Sequence, residues 1–232
     1  FLTSVRQDTE SLSAAPSRMT GTPGHARASE WLRDELAALN GVQVWTHEFP
    51  VWMPTVERST LSIDSGPGAG THAVYPLWPD LVRLNTTGPD GIQGRIVYVG
   101  DGSMANIPAR SLEGNIAAME MSAYRNWKNP FAMNAAAVLL LGSPDDQHQP
   151  PAAQALYHPR YYLPDGDLAD AIRNGASAEA TVHCDMSWQR VTARNLYALV
   201  PAAGEGPAGP AVGLTAATDA MSLVMDQAPG AD

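Results

Sequence analysis

Apolar positions fall in two rhythms along the chain. From Pro23 to Leu39 they recur at helical spacing, with Ala28, Trp31, Leu32, Leu36 and Leu39 on one side. Thr22 suits the N-cap and Pro23 the first helical position, where a missing N–H costs nothing. Asn40-Gly41 supplies a left-handed stop. The pattern predicts a helix whose Trp-Leu face is core. Residues 2–15, with Leu2, Val5 and Leu12 on one side, predict a shorter helix before it. Two strands are expected next, at 42–51 and 59–63, with Pro50 and Pro54 as boundaries. The run Asp64-Ser-Gly-Pro-Gly-Ala-Gly70 then reads as a turn; it lacks the Lys-Ser/Thr ending and following helix of a phosphate loop.

From about residue 74 to 184 short apolar strands alternate with turns. The strands are predicted at 95–99, 115–119, 136–141 and 179–184. Helices are predicted at 126–134 and 164–174, the second carrying Leu168 and Ile172 at i, i+4 and stopping at Gly175. The cluster Tyr157 to Tyr162 reads as aromatic packing under a loop. After residue 185 the texture returns to alternation in Ala193 to Val200. A Gly/Pro/Ala-rich break follows, then a second apolar strand, AVGLTAATD, ending at Asp219. Carboxylates at the carboxyl end of a strand are how an α/β sheet presents a metal or catalytic site.

Composition narrows the classes. At 44% hydrophobic and 16% charged residues, the chain is globular in type, with room for one large domain or two small ones in 232 residues. Its net charge of −10 disfavours nucleic acid and anionic membranes as partners. A single cysteine, Cys184, excludes a disulfide framework and any multi-cysteine zinc site. The longest apolar run, Ala135 to Leu141, is too short to span a bilayer. The first residue is Phe1 rather than Met, as in a processed or trimmed product.

Candidate chemistry is sparse. The six histidines are scattered, and none forms a His-x-x-x-His pair. His183-Cys184-Asp185 is the densest donor cluster, but neighbours on a strand point to opposite faces and cannot chelate together. No Gly-x-Ser-x-Gly supports a serine nucleophile. Asp219 taken alone reads as a loop or Asx-turn residue, and Asp232 as a terminal one.

Several motifs nevertheless occur together and in order. They are Arg18-Met-Thr-Gly-Thr-Pro-Gly24 with its helix, Ala193-Arg194-Asn195-Leu196, Ala216-Ala217-Thr218-Asp219 and Gly230-Ala231-Asp232. This series resembles the zinc-dependent aminopeptidase family with two co-catalytic zinc ions. The block from about 75 to 184 resembles the protease-associated (PA) domain inserted in some of its members. The resemblance implies an α/β fold: a partial aminopeptidase-like sheet-and-helix domain with an inserted β-rich PA-like domain. Its parts would be residues 1–70, an insert at 75–184, and the start of the catalytic-type sheet at 185–232. It implies Asp232 as the carboxylate bridging the two zincs, and Asp219 as the Asp that orients a zinc-binding His. Ala217 stands where that His is expected, and a methyl group cannot ligate zinc. The family's general-base Glu, remaining carboxylate ligand and last His would fall beyond residue 232.

The functional expectation is therefore a zinc metallopeptidase removing N-terminal residues from peptides, incomplete or inactivated at its metal site. No catalytic residue is expected within this chain, and zinc is expected in the intact family rather than bound here. Two alternatives stand beside it: a non-catalytic, receptor-like binding relative, and a PA-type interaction module. The expected partner is a peptide, with no nucleic acid and no membrane span. The resemblance implies a secreted or cell-envelope location.

Overall fold

The computed structural model describes residues 2–107, 112–143, 157–201 and 212–228, with side chains from residue 5 onward. It is a mixed α/β protein, as expected, built on one eight-stranded sheet with few helices. The elements are α1 (Leu2–Leu12), α2 (Pro23–Ala37), β1 (Gln43–Ile63), β2 (Gly70–Ala73), β3 (Tyr75–Pro76), β4 (Ile92–Tyr98), β5 (Ile116–Glu120), a 3-10 turn (Met121–Asn126), α3 (Lys128–Ala132), β6 (Ala137–Gly142), β7 (Arg160–Pro164), α4 (Asp167–Arg173) and β8 (Glu179–Leu199). The strand order is β2-β1-β8-β4-β5-β6-β7-β3. Two compact units divide the chain. One holds Phe1–Met53, Gln189–Met221 and Asp226–Asp232; the other holds Pro54–Trp188 and Ser222–Met225.

In the larger unit the centre of the sheet is parallel. β4 pairs with β5, β5 with β6 and β6 with β7 in that sense, while β4 runs antiparallel to β8 and β7 to β3. Parallel strands are covered on both faces and so read as unbroken apolar runs. Here β6 is buried at every position and β5 at all but its last. The core gathers Leu112, Met119, Tyr124, Trp127, Leu140 and Val224 around these strands. One fully buried cation stands in this core. The Arg160 side chain is 0% exposed and its partner Asp80 2%; Nη2 lies 2.5 Å from Asp80 Oδ1 and 3.2 Å from the Trp78 carbonyl oxygen. Nη1 donates to the Tyr124 hydroxyl, and the guanidinium sits 4.1 Å from the centre of the Trp127 ring. Asn85 completes the cluster, accepting from the Arg160 backbone N–H at 3.1 Å and donating to the Leu77 carbonyl at 2.6 Å. The expected aromatic patch at 157–162 is thus partly a core strand, β7.

Two long strands replace four expected short ones. β1 runs 21 residues through Pro50 and Pro54, and β8 joins the expected 179–184 and 193–200 strands. Prolines are tolerated in β1 because β2 pairs only with Thr60–Ile63, which leaves an open edge before residue 60 where a missing N–H breaks no ladder. The expected helix at 126–134 is reduced to a 3-10 turn and the short α3. α4 occupies Asp167–Arg173 within the expected range, and Gly175 follows it at φ +89°.

The smaller unit contains α1, α2 and the outer halves of β1 and β8. α2 starts as expected, with Thr22 Oγ1 accepting from the His25 N–H at 3.2 Å. Its buried face differs from the expected one: Gly24, His25, Ala28 and Ser29 are covered, whereas Trp31, Leu32 and Leu36 are half-buried and Leu39 is 55% exposed. The strand expected to end at Asp219 does not form. Residues 212–217 have no regular structure, and Val212 and Leu214 are 92% and 95% exposed. A strand is held by its ladder of hydrogen bonds, and among the described residues no neighbour supplies one to this segment.

Candidate functional site

The motif residues 18–24, 193–196 and 216–219 fall in the smaller unit, where residues 16–20 are bonded to Asp219, Ala220 and Ala228. Ser17 and Ala228 form a parallel bridge. The Arg18 N–H donates to the Ala228 carbonyl at 2.8 Å, the Ala228 N–H to Pro16 at 2.9 Å, and the Ala220 N–H to Arg18 at 3.2 Å. The Thr20 hydroxyl donates to Asp219 Oδ2 at 2.7 Å. Asp219, expected to orient an imidazole, therefore holds a threonine hydroxyl across 199 residues of chain.

The sharp turn before α2 explains why the Thr20-Gly21-Thr22 stretch has its glycine. Gly21 has φ +88°, and a Cβ there would come within 2.7 Å of Val191 Cγ2. Thr22 then turns its hydroxyl back on the loop, donating to the Met19 carbonyl at 2.8 Å while it caps the helix. One helical step further lies His25, which sequence reasoning passed over as one of six scattered histidines. It is 3% exposed, and it borders a pocket of about 110 Å³ with Gly21, Thr22, Val191, Thr192 and Arg194. Burial pushes the His25 imidazole below its ordinary value; Asp219 pulls it up, and Arg194 and Arg18 push it down again. The ring is thus neutral near pH 7. Arg194, from the Ala-Arg-Asn motif, donates from Nε to Glu48 Oε1 at 2.8 Å and approaches Glu30 at 3.6 Å. Asp226 is a further carboxyl of this unit, raised from its ordinary value by burial.

The expected metal positions separate. Ala217 is exposed and offers only a methyl, Asp219 is half-buried and engaged by Thr20, and Asp232 lies outside the described residues. Among the described residues no three His, Cys, Asp or Glu side chains converge as a metal site would require. His183, Cys184 and Asp185 lie in succession on β8, with Cys184 buried and Asp185 paired to Arg58 at 3.0 Å. The donors described do not fit a zinc ion.

Comparison with solved structures places the fold. The chain is similar to a peptidase M28 precursor from Shewanella amazonensis, with a TM-score of 0.58 at 16% identity over 83% of this chain and 49% of that one. It is similar to a zinc aminopeptidase from Bacillus subtilis, with a TM-score of 0.57 at 17% identity over 83% of this chain and 45% of the other. The chain thus spans about half the length of the structures it matches. No family model matches the sequence, and no curated protein matches it. The likeness is one of fold. No helix among the described residues is long and apolar enough to cross a membrane.

Proposed function

We propose that this chain is part of a peptidase-like protein of the zinc aminopeptidase kind, altered at its metal position so that these residues do not themselves hydrolyse peptides. The observation that carries the reading is the coincidence of fold and motif order. The structural neighbours are a zinc aminopeptidase and an M28 peptidase, and Asp219 stands beside the Thr20 loop with Ala217 two residues before it. In this reading Asp219 is the remnant of an imidazole-orienting carboxylate, Asp232 the bridging ligand, and residues 75–184 a PA-like insert between parts at 1–70 and 185–232. The division of the chain into two compact units supports such an insertion. The substrate class is a peptide, and zinc belongs to an intact site of this kind. Compartment follows the resemblance, to secretion or the cell envelope.

A second reading, a non-catalytic peptide-binding relative, is favoured by one residue: Ala217 has no donor atom, so the site loses its imidazole without losing its scaffold.

Hydrolysis of aminoacyl-anilides with added zinc tests the first reading. The expected result is no turnover by the 232-residue chain, since losing one member of a cooperative catalytic set costs orders of magnitude in rate. Zinc binding by calorimetry is the companion measurement. Ala217→His leaves this chain without tight binding, because one imidazole and one carboxylate are fewer than the three or four ligands a stable site needs. In a longer form carrying the remaining ligands, the same change raises affinity. Chelator-sensitive turnover by the unaltered chain overturns the reading. So does equal zinc affinity of longer forms with Ala and His at 217.

A further inference from the structure

Two Asn-Gly pairs occur in the chain, Asn40-Gly41 after α2 and Asn174-Gly175 after α4. In exposure and backbone they are alike. All four residues are exposed, and the two glycines have φ +77° and +89°, with open space where a side chain would stand. Their hydrogen bonds differ. Behind α4 the Gly175 N–H donates to the Ile172 carbonyl at 3.0 Å, and the Ala176 N–H to the Ala171 carbonyl at 2.9 Å. Together these bonds complete a left-handed helix cap, which holds the peptide between Asn174 and Gly175. α2 is capped earlier, at Ala38, and the bond spanning its Asn-Gly pair is a long one, from the Val42 N–H to the Leu39 carbonyl at 3.3 Å. Neither the Gly41 N–H nor the Asn40 side chain has a hydrogen-bond partner among the described residues.

That difference bears on a reaction of the pair itself. The glycine's backbone nitrogen, having given up its proton, attacks the carbonyl carbon of the asparagine side chain. The new C–N bond closes an imide ring, the bond to the side-chain nitrogen breaks, and ammonia leaves with the proton. Water then opens the ring at either carbonyl, giving aspartate or isoaspartate. Glycine allows the ring because it has no side chain to crowd it. The attack needs an N–H that is free to lose its proton and an asparagine side chain free to swing over it. A nitrogen engaged in a helix cap must first give up its hydrogen bond.

We propose that Asn40 is a site of spontaneous covalent modification in the folded protein, deamidated through the Gly41 nitrogen, and that the cap of α4 protects Asn174 from the same reaction. The product bears on the fold. It places a carboxylate just past the carboxyl end of α2, where the helix dipole is already negative and the last turn holds Asp34 and Glu35 but no basic residue. As isoaspartate it also lengthens the main chain by a methylene where α2 leads into β1. The proposal is independent of the metallopeptidase reading.

The purified chain is held at mildly alkaline pH, folded in buffer and unfolded in guanidinium, and sampled over several days. Each sample is digested at arginine and lysine, and mass spectrometry reads amide-to-acid conversion in the peptides carrying Asn40 and Asn174. In buffer, conversion at Asn40 is expected to be about tenfold faster than at Asn174, the factor set by one net hydrogen bond. In guanidinium the two rates are expected to converge, because the cap is gone. Isoaspartate, separated from aspartate by chromatography, is expected among the products at residue 40. Asn40→Gln is expected to stop conversion in that peptide and leave the rate at Asn174 unchanged. Equal rates in buffer overturn the proposal, as does aspartate as the sole product at residue 40, which would mean direct hydrolysis without the Gly41 nitrogen. A difference that persists in guanidinium also overturns it, since the neighbouring sequence and not the cap would then be the cause.

Discussion

The Thr20 hydroxyl and the Asp219 carboxylate meet at 2.7 Å, joining the loop before α2 to the segment that follows the long break in the smaller unit. Backbone bonds from Arg18 and Ala228 run alongside, so the side-chain bond closes a clasp that the main chain has already aligned. A hydrogen bond to a charged, partly buried acceptor contributes about 1.5–2 kcal/mol. Thr20→Val is expected to lower stability by that amount, with Thr20→Ser recovering most of it. Denaturant titration of Thr20→Val, Asp219→Asn and the double variant checks the pair, the two changes being strongly non-additive. Additive losses would show that Asp219 stabilises the unit through some other contact.

Arg160 offers a larger effect. Its guanidinium is wholly buried against Asp80, Tyr124 and Trp127, and removing one partner of such a pair strands the other charge. Asp80→Ala is therefore expected to cost about 3–5 kcal/mol. Arg160→Met with Asp80→Leu, which removes both charges and keeps apolar volume, is expected to recover much of the loss. Thermal unfolding of the single and double variants distinguishes the outcomes, and a double variant no better than Asp80→Ala would count against stranded charge as the cause.

Much of this was legible in the sequence because local signals and tertiary needs agree. Thr22-Pro23 announces α2, and the apolar runs at 115–119 and 136–141 announce buried strands. The strand lengths were not legible, since Pro50 and Pro54 read as stops until the open edge of β1 is known. Nor was the failure of the strand expected to end at Asp219, where apolar alternation is present but no ladder partner is described for residues 212–217. At the candidate site, Asp219 was singled out by its motif, but its bond to the Thr20 hydroxyl was not. His25 was not, because a lone histidine in a helix carries no ligand spacing. Its signal is burial beside a pocket, which only the structure provides.

The turn at Asp80–Arg83 carries backbone strain. The two ends exchange hydrogen bonds at 3.1 and 3.0 Å, and Leu81 between them has φ +55° with its side chain 52% exposed. A non-glycine residue in the left-handed region costs roughly 1 kcal/mol, part of which a glycine gives back by loosening the unfolded chain. Leu81→Gly is expected to be neutral to stabilising by about 0.5 kcal/mol, and Leu81→Val, β-branched, to be destabilising. Chemical denaturation measures both, and a substantial loss on Leu81→Gly would mean that the exposed leucine makes contacts of its own.

Two histidines set an acid limit on stability. His25 in the smaller unit and His158 in the larger are both held below their ordinary value of 6.5, in each case chiefly by burial, with neighbouring cations adding to it. His158 is stacked on Phe131 at 4.4 Å between ring centres, and Arg160 and Lys128 bear on it. A lowered native value means that the unfolded chain binds more protons in the interval between the two values, so stability rises with pH there. The contribution of each neutral ring is full above about pH 6.5 and declines as pH falls toward the native value. Denaturant midpoints between about pH 8 and pH 5 should fall on acidification. His158→Gln and His25→Gln should each flatten the fall, and the pair together more than either. Most carboxylates ordinarily titrate near pH 4, below most of this window; burial raises Asp80 and Asp226, and their protonation opposes the fall. A fall of unchanged steepness in both His25→Gln and His158→Gln would mean that neither imidazole differs from its unfolded state.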